Sequence, residues 1–141
     1  METLYSVLVL DTDTRRWLQA EGHAVPPATQ PSRWPTSPEL RQVLHELPGV
    51  QVSFLDGARG AWDAEVLAGE RRLVLQIIPG NDEERRPFSL DEVDPELALR
   101  VLEALSHVCG PLAIHEAASN RALVVEPGLD PVEGARRLGG R

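Results

Sequence analysis

Four side chains in the last third of the chain are of types that bind metal ions: His107, Cys109, His115 and Glu116. A zinc site needs three or four such groups to converge on one point. Residues two apart on a helix point about 200° apart, so His107 and Cys109 face different sides of the helix predicted there. His115 and Glu116 alternate to opposite faces of the following strand. We therefore expect no metal site and no cofactor, and we interpret Cys109 as a small core residue.

A pair of carboxylates follows the first apolar run, in Leu8-Val9-Leu10-Asp11-Thr12-Asp13. An apolar strand ending in D-x-D resembles the opening motif of haloacid-dehalogenase-type phosphatases. The resemblance implies that Asp11 attacks phosphorus and that Asp13 acts as acid and base, with Mg²⁺ between them. That family also has a doubly wound parallel sheet, and the hairpin predicted over residues 61–78 leaves no room for its crossover helices. The preferred interpretation is that these residues cap a helix that follows a strand.

Two further histidines, His23 and His45, could act as general bases, but neither has a nucleophile at a diagnostic spacing. The sequence contains no G-x-S-x-G, no P-loop, no G-x-G-x-x-G after a strand and no H-E-x-x-H. We therefore predict no catalytic residue. The alternative is an active site assembled from scattered groups, such as Asp11, Asp13, His45 or His115.

An acidic stretch over residues 82–96 and a loop over residues 23–38 with five prolines are the features that indicate a site. Opposite charge steers a basic partner toward such a surface. The partner-binding residues that we predict here are Trp34, Asp82, Glu83, Glu84, Asp91 and Glu92. The alternatives are that the acids form a solvated loop and a favourable helix start, and that Trp34 covers the edge of the core.

Hydrophobic periodicity predicts the elements that position these residues. Strands are expected over residues 4–10, 50–55, 61–67, 72–78, 112–116 and 122–126. Helices are expected over 37–47 and 94–109, with Ser37 and Asp94 as N-caps. Residues 14–21 form either a short helix or an extended hairpin partner, and residues 79–93 are expected to be a charged loop.

If the third and fourth predicted strands form a hairpin, the loop between them sets which of their residues lie opposite each other. It places Trp62, Ala64 and Val66 opposite Ile77, Leu75 and Leu73, and leaves Asp63 and Glu65 on the other face. Local hairpins dominate this order of elements. We predict an α+β fold: a mostly antiparallel sheet of about five or six strands with two principal helices on one face, a ferredoxin-like or related sandwich. Residues 1–128 are expected to form one domain, with a tail over 129–141 that contains a short helix.

Charge and cysteine content narrow the functional class. The chain has 22 acidic residues against 14 arginines and no lysine, a net charge of −8, which disfavours binding to nucleic acid or membrane surfaces. One cysteine and no basic stretch before the first apolar run favour a cytoplasmic protein without a signal peptide. Our leading hypothesis is a small acidic intracellular protein-binding module, such as an inhibitor or immunity-type protein, acting on a basic partner. The alternatives are a small enzyme or ligand-binding domain and a homo-oligomer that pairs through a sheet edge.

Overall fold

The computed structural model of the protein describes residues 5–27 and 31–139. In this part of the chain the strands are β1 (Tyr5–Val9), β2 (Gln51–Asp56), β3 (Trp62–Ala68), β4 (Arg71–Ile77), β5 (Phe88–Asp91), β6 (Leu112–Glu116) and β7 (Arg121–Val125). The α-helices are α1 (Thr12–Ala20), α2 (Ser37–Glu46), α3 (Pro95–Cys109) and α4 (Pro131–Leu138). The α+β class predicted from the sequence is confirmed.

The strands form two antiparallel sheets, one in the order β1-β6-β7 and one in the order β2-β3-β4-β5. The two sheets meet where β1 lies alongside β5. The prediction of a single ferredoxin-like sheet of five or six strands was therefore only roughly right. Strand β5 lies inside the stretch predicted to be a loop, because four residues between charged turns give too short an alternation to recognise. Strand β1 lies at one end of its sheet.

The register of the β3–β4 hairpin is the one predicted. Trp62 lies opposite Ile77, Ala64 opposite Leu75 and Val66 opposite Leu73. All six side chains are at most 3% exposed. The alternation of apolar and polar residues determines which face is buried, because shifting a strand by one residue would exchange its two faces.

Helix α3 is the centre of the core, since it contacts β4, β6, β7, α2 and α4. The apolar stripe of α3, formed by Ala98, Val101, Leu102, Leu105 and Cys109, is buried along its whole length. The core that the helix joins contains residues of both sheets.

The helix starts follow capping chemistry. Asp94 caps α3 as predicted, its side chain accepting a hydrogen bond from the Leu97 N–H. Helix α2 is capped by Thr36 and not by Ser37, and Glu39 completes a capping box with Thr36. The Ser37 hydroxyl is buried and accepts a hydrogen bond of 2.7 Å from the Trp62 indole N–H. The Ser37 hydroxyl is therefore hydrogen-bonded inside the core and does not cap the helix.

The remaining helices lie at the edges of the fold. Helix α1 packs Leu18 against Leu10 and Ala113 on the second face of the three-stranded sheet. The short helix expected near the C-terminus is α4, which packs on α3 and buries Leu138. Within residues 5–27 and 31–139, no helix combines the length and the apolar character needed to cross a membrane.

Candidate protein-binding surface

The carboxylates of the D-x-D motif lie at the exposed start of α1. The Asp11 side chain accepts a hydrogen bond of 2.8 Å from the Thr14 N–H, and this bond lowers the pKa of Asp11 below its ordinary value. Asp13 is exposed in the first turn of the helix. The interpretation of Asp11 as a helix cap is confirmed, and the hairpin alternative for this segment is wrong.

The four potential metal ligands in the last third of the chain, His107, Cys109, His115 and Glu116, do not converge on one site. His107 is exposed and its Nε2 lies 2.8 Å from the Glu103 carboxylate. Cys109 is 1% exposed, and burial raises the pKa of its thiol to about 11. Among the residues that the structure describes, no group of three or more His, Cys, Asp and Glu side chains could hold a metal ion.

His23 and His115, which are distant in the sequence, lie close together with their ring centroids 6.4 Å apart. The Trp17 ring packs edge-on against His115 at 4.9 Å. His115 Nε2 donates to the Asn120 amide oxygen at 2.8 Å, and the Asn120 amide donates to Glu21 at 3.0 Å. This cluster joins the end of α1 to the β6–β7 turn. It contains neither Asp11 nor Asp13, which lie at the other end of α1, nor His45, which is exposed on α2.

Trp34 packs its ring edge-on against Phe88, with centroids 5.5 Å apart, and is half-buried at the edge of the core. The segment around it is held by Arg33, whose backbone N–H donates to the Cys109 carbonyl at 2.9 Å. The Arg33 guanidinium makes two bonds of 2.7 and 2.8 Å to the carboxylate of Glu39. The position of Trp34 thus matches the alternative of a residue that covers the core edge.

The acidic stretch is divided between two places. Asp82, Glu83 and Glu84 lie in the exposed turn before β5, where Asn81 Oδ1 accepts from the backbone N–H groups of Glu83 and Glu84. The same turn covers Arg86, which is 2% exposed and donates from Nη1 to the carbonyls of Gly60 and Ile78. This arrangement ties the turn to the neighbouring end of the four-stranded sheet.

Asp91 and Glu92 lie at the other end of β5, where Glu92 pairs with Arg72. Arg72 also pairs with Glu65 of β3 at 2.6 Å. The predicted acidic site is therefore not one contiguous loop. Asp91 instead belongs to the face of the four-stranded sheet that points away from the core.

That face is called the outer face here, and three rows of cross-strand neighbours define it. The rows are Leu55, Asp63, Gln76 and Ser89; Ser53, Glu65, Val74 and Asp91; and Gln51, Leu67 and Arg72. Ile78 follows the last residue of β4. All of these side chains are half-buried or exposed. No described helix lies over the face, because α2 and α3 pack on the opposite side.

The outer face combines an excess of negative charge with exposed apolar side chains. Its carboxylates are Asp63, Glu65 and Asp91, and they outnumber its single arginine. Leu55 is 71% exposed and Ile78 is 53% exposed, and they are two of the five large hydrophobic side chains that are exposed among the described residues. An acidic face with exposed apolar residues suits a protein contact.

Sequence reasoning placed Asp63 and Glu65 correctly, on the face opposite to the core, but did not connect them with Asp91. The connection needs β5 beside β4, and no pattern in residues 79–93 predicted that strand. Leu55 and Ile78 were each assigned to the end of a predicted strand, and nothing in the sequence marked them as exposed.

Comparisons with protein-family models, with curated proteins and with solved structures find no significant match to this chain. Function is therefore inferred from the geometry and charge of the surface alone.

Proposed function

We propose that the protein is an intracellular protein-binding module that docks a basic protein partner on the outer face of its four-stranded sheet. An inhibitor or immunity-type protein is the kind of module that acts in this way. The observation that carries the proposal is the uncovered outer face, which combines three carboxylates with the exposed side chain of Leu55.

The charges on this face fit the role of steering and orienting a partner. Asp63 makes no ion pair among the described residues, so its carboxylate is available to a cation. Glu65 shares Arg72 with Glu92, which leaves the Arg72 cluster one negative charge in excess. The net charge of −8 extends the attraction to a basic protein beyond contact distance, within the roughly 8–10 Å over which salt screens charges.

The apolar side chains would supply the affinity that charge alone does not. Fully burying one leucine side chain contributes about 1.5–3 kcal/mol, and Leu55 has most of its surface available for burial. Leu67 and Val74, on the two central strands, are half-buried and would add to the apolar contact beside Asp63 and Glu65.

The test begins with capture of a partner from host lysate and continues with the purified pair. Asp63→Asn with Asp91→Asn removes two negative charges from the outer face. Asp13→Asn with Glu46→Gln removes two charges from α1 and α2 and is the matched control. Both variants carry a net charge of −6, since −8 plus two is −6. We expect the face variant to lose about tenfold in affinity by calorimetry and the control to lose less than about twofold.

A second pair of variants tests the apolar contact. Leu55→Ser changes an outer-face side chain that is 71% exposed, and Val132→Ser changes one on α4 that is 62% exposed. The proposal predicts a loss of affinity for the first and none for the second. Equal effects of both charge variants would mean that net charge alone attracts the partner. That result, or the absence of a stoichiometric basic partner, would overturn the proposal.

A further inference from the structure

A groove of about 830 Å³ lies beside β7, in the sheet that does not carry the outer face. One wall is the segment that follows α1, over residues 22–26, and the other is the connection from β7 to α4, over residues 126–129. Ala122 and Val124 of β7 line its floor, and Arg137 of α4 reaches it from the side. This volume falls in the range of about 300–1,000 Å³ that is typical of ligand sites.

The groove runs along a strand edge with no partner in the described chain. Strand β7 pairs with β6 alone, and no other described segment makes a backbone hydrogen bond to it. Such an edge presents a row of N–H and C=O groups that an added strand can pair with. The five residues of β7 span roughly 17 Å, the length of a five-residue extended peptide.

We propose that this groove binds an extended peptide segment of a partner protein, which adds to β7 as a fourth strand of its sheet. Backbone hydrogen bonds to the β7 edge would hold the segment, and side chains on one of its faces would pack over Ala122 and Val124. Small or β-branched apolar residues fit a floor made of these two side chains. Recognition by strand addition of this kind takes its affinity from the backbone and its selectivity from alternate side chains.

Two charged side chains that line the groove, those of Arg137 and Glu126, indicate which charge the segment carries. Arg137 is exposed and makes no ion pair with a described residue, so it would pair with a carboxylate of the segment. That carboxylate is either an acidic side chain or the C-terminus of the partner. Glu126, at the end of β7, disfavours a second carboxylate beside it. We therefore expect an apolar, extended segment with a single acidic group that faces Arg137.

The groove and the outer face are independent, because they belong to different sheets and share no residue. Loss of binding at one is not expected to affect the other.

The experiment selects random seven-residue peptides on the immobilised protein and removes those that also bind Ala122→Arg, which fills the groove floor. The selected peptides are synthesised with a fluorescent label and titrated by polarisation. Ala58→Arg is the matched control, because Ala58 is exposed in the turn between β2 and β3 and belongs neither to the groove nor to the outer face. We expect at least a tenfold loss of affinity for Ala122→Arg and less than twofold for Ala58→Arg.

Two further measurements separate strand addition from general stickiness. Only every second amide of an added strand faces β7, so N-methylation of one alternating set should abolish binding while the other set has little effect. Arg137→Glu, an exposed change that leaves the floor intact, should weaken the acidic peptide at least tenfold. A peptide with lysine in place of the acid should restore binding to that variant.

Hydrogen exchange with bound peptide should show added protection in β7 and none in β2. The proposal is overturned if no peptide binds more tightly than about 1 mM, or if both methylation patterns act alike. It is also overturned if protection of β7 arises from self-association of the protein in the absence of peptide.

Discussion

The ion pair between Arg33 and Glu39 is expected to be the strongest pH-dependent contribution to stability in the described part of the chain. The Glu39 carboxylate accepts two hydrogen bonds from the Arg33 guanidinium, and further bonds from the Thr36 N–H at 2.9 Å and the Thr36 hydroxyl at 3.1 Å. These bonds hold the pKa of Glu39 at about 2, against an ordinary value of 4.5. The carboxylate therefore joins the capping box of α2 to the segment that carries Trp34.

The magnitude follows from the pKa. A fall from 4.5 to about 2 corresponds to at most about 3 kcal/mol of folding free energy. The Glu39 side chain is 31% exposed, so screening by solvent reduces the expected contribution to about 1–2 kcal/mol. Glu39→Gln removes this contribution and keeps an amide oxygen that accepts the Thr36 N–H bond, so the expected loss is about 1–2 kcal/mol at pH 7.

The sign of the pH dependence is fixed because the folded-state pKa is the lower one. The contribution of Glu39 is fully present above pH 4.5 and is lost as pH falls from 4.5 toward 2. Urea unfolding of wild type and Glu39→Gln at a series of pH values should show a constant difference from pH 7 to about pH 5.5. The difference should shrink steadily below that range.

Glu46→Gln, at the other end of α2, is the control. Glu46 is exposed and bonds to Gln42 alone among the described residues, so its removal should cost less than about 0.5 kcal/mol. The reasoning would be refuted by equal losses in the two variants, or by a Glu39→Gln difference that does not change between pH 6 and pH 3.

Two other predictions concern the turns and the core. Gly60 has φ +81°, and a Cβ there would lie 2.1 Å from the Gly80 carbonyl oxygen, so Gly60→Ala should destabilise by more than about 3 kcal/mol. Gly69 has φ +62° with open space around it, so Gly69→Ala should cost only about 1–2 kcal/mol of stability. Thermal melts of both variants measure the difference. Similar melting temperatures for the two variants would contradict this prediction. Cys109, buried and with its thiol pKa raised to about 11, should react with a maleimide at pH 7.5 only after denaturation, and rapid labelling of the native protein would show that α3 opens locally.

Local patterns in the sequence determined much of the secondary structure. The N-cap Asp94 followed by Pro95 marks the start of α3, and the 3.6-residue spacing from Ala98 to Cys109 marks its buried face. The β3–β4 register follows from short-range features: alternation determines which face is buried, and the short turn after Ala68 sets which residues lie opposite each other. These features depend on residues within about twenty positions of each other, so short stretches of the sequence are enough to predict them.

Contacts between distant segments were decided by the tertiary structure alone. The sequence predicted Ser37 as an N-cap, but its hydroxyl accepts a hydrogen bond from the indole N–H of Trp62, which is 25 positions away. Strand β5 forms because Phe88 and Leu90 pair with Ile77 and Leu75 of β4. The four residues of β5 do not by themselves indicate that this pairing will occur. Division of the strands into two sheets likewise depends on which long-range pairs form.

The candidate sites follow the same division. The sequence determined the excess of negative charge and the outward direction of Asp63 and Glu65, since composition and alternation are local properties. Only the tertiary structure placed Asp91 in the same row as Glu65, and left β7 with an unpaired edge beside a groove. Burial and pairing are properties of the assembled chain, because they depend on what packs against each residue and not on its neighbours in sequence.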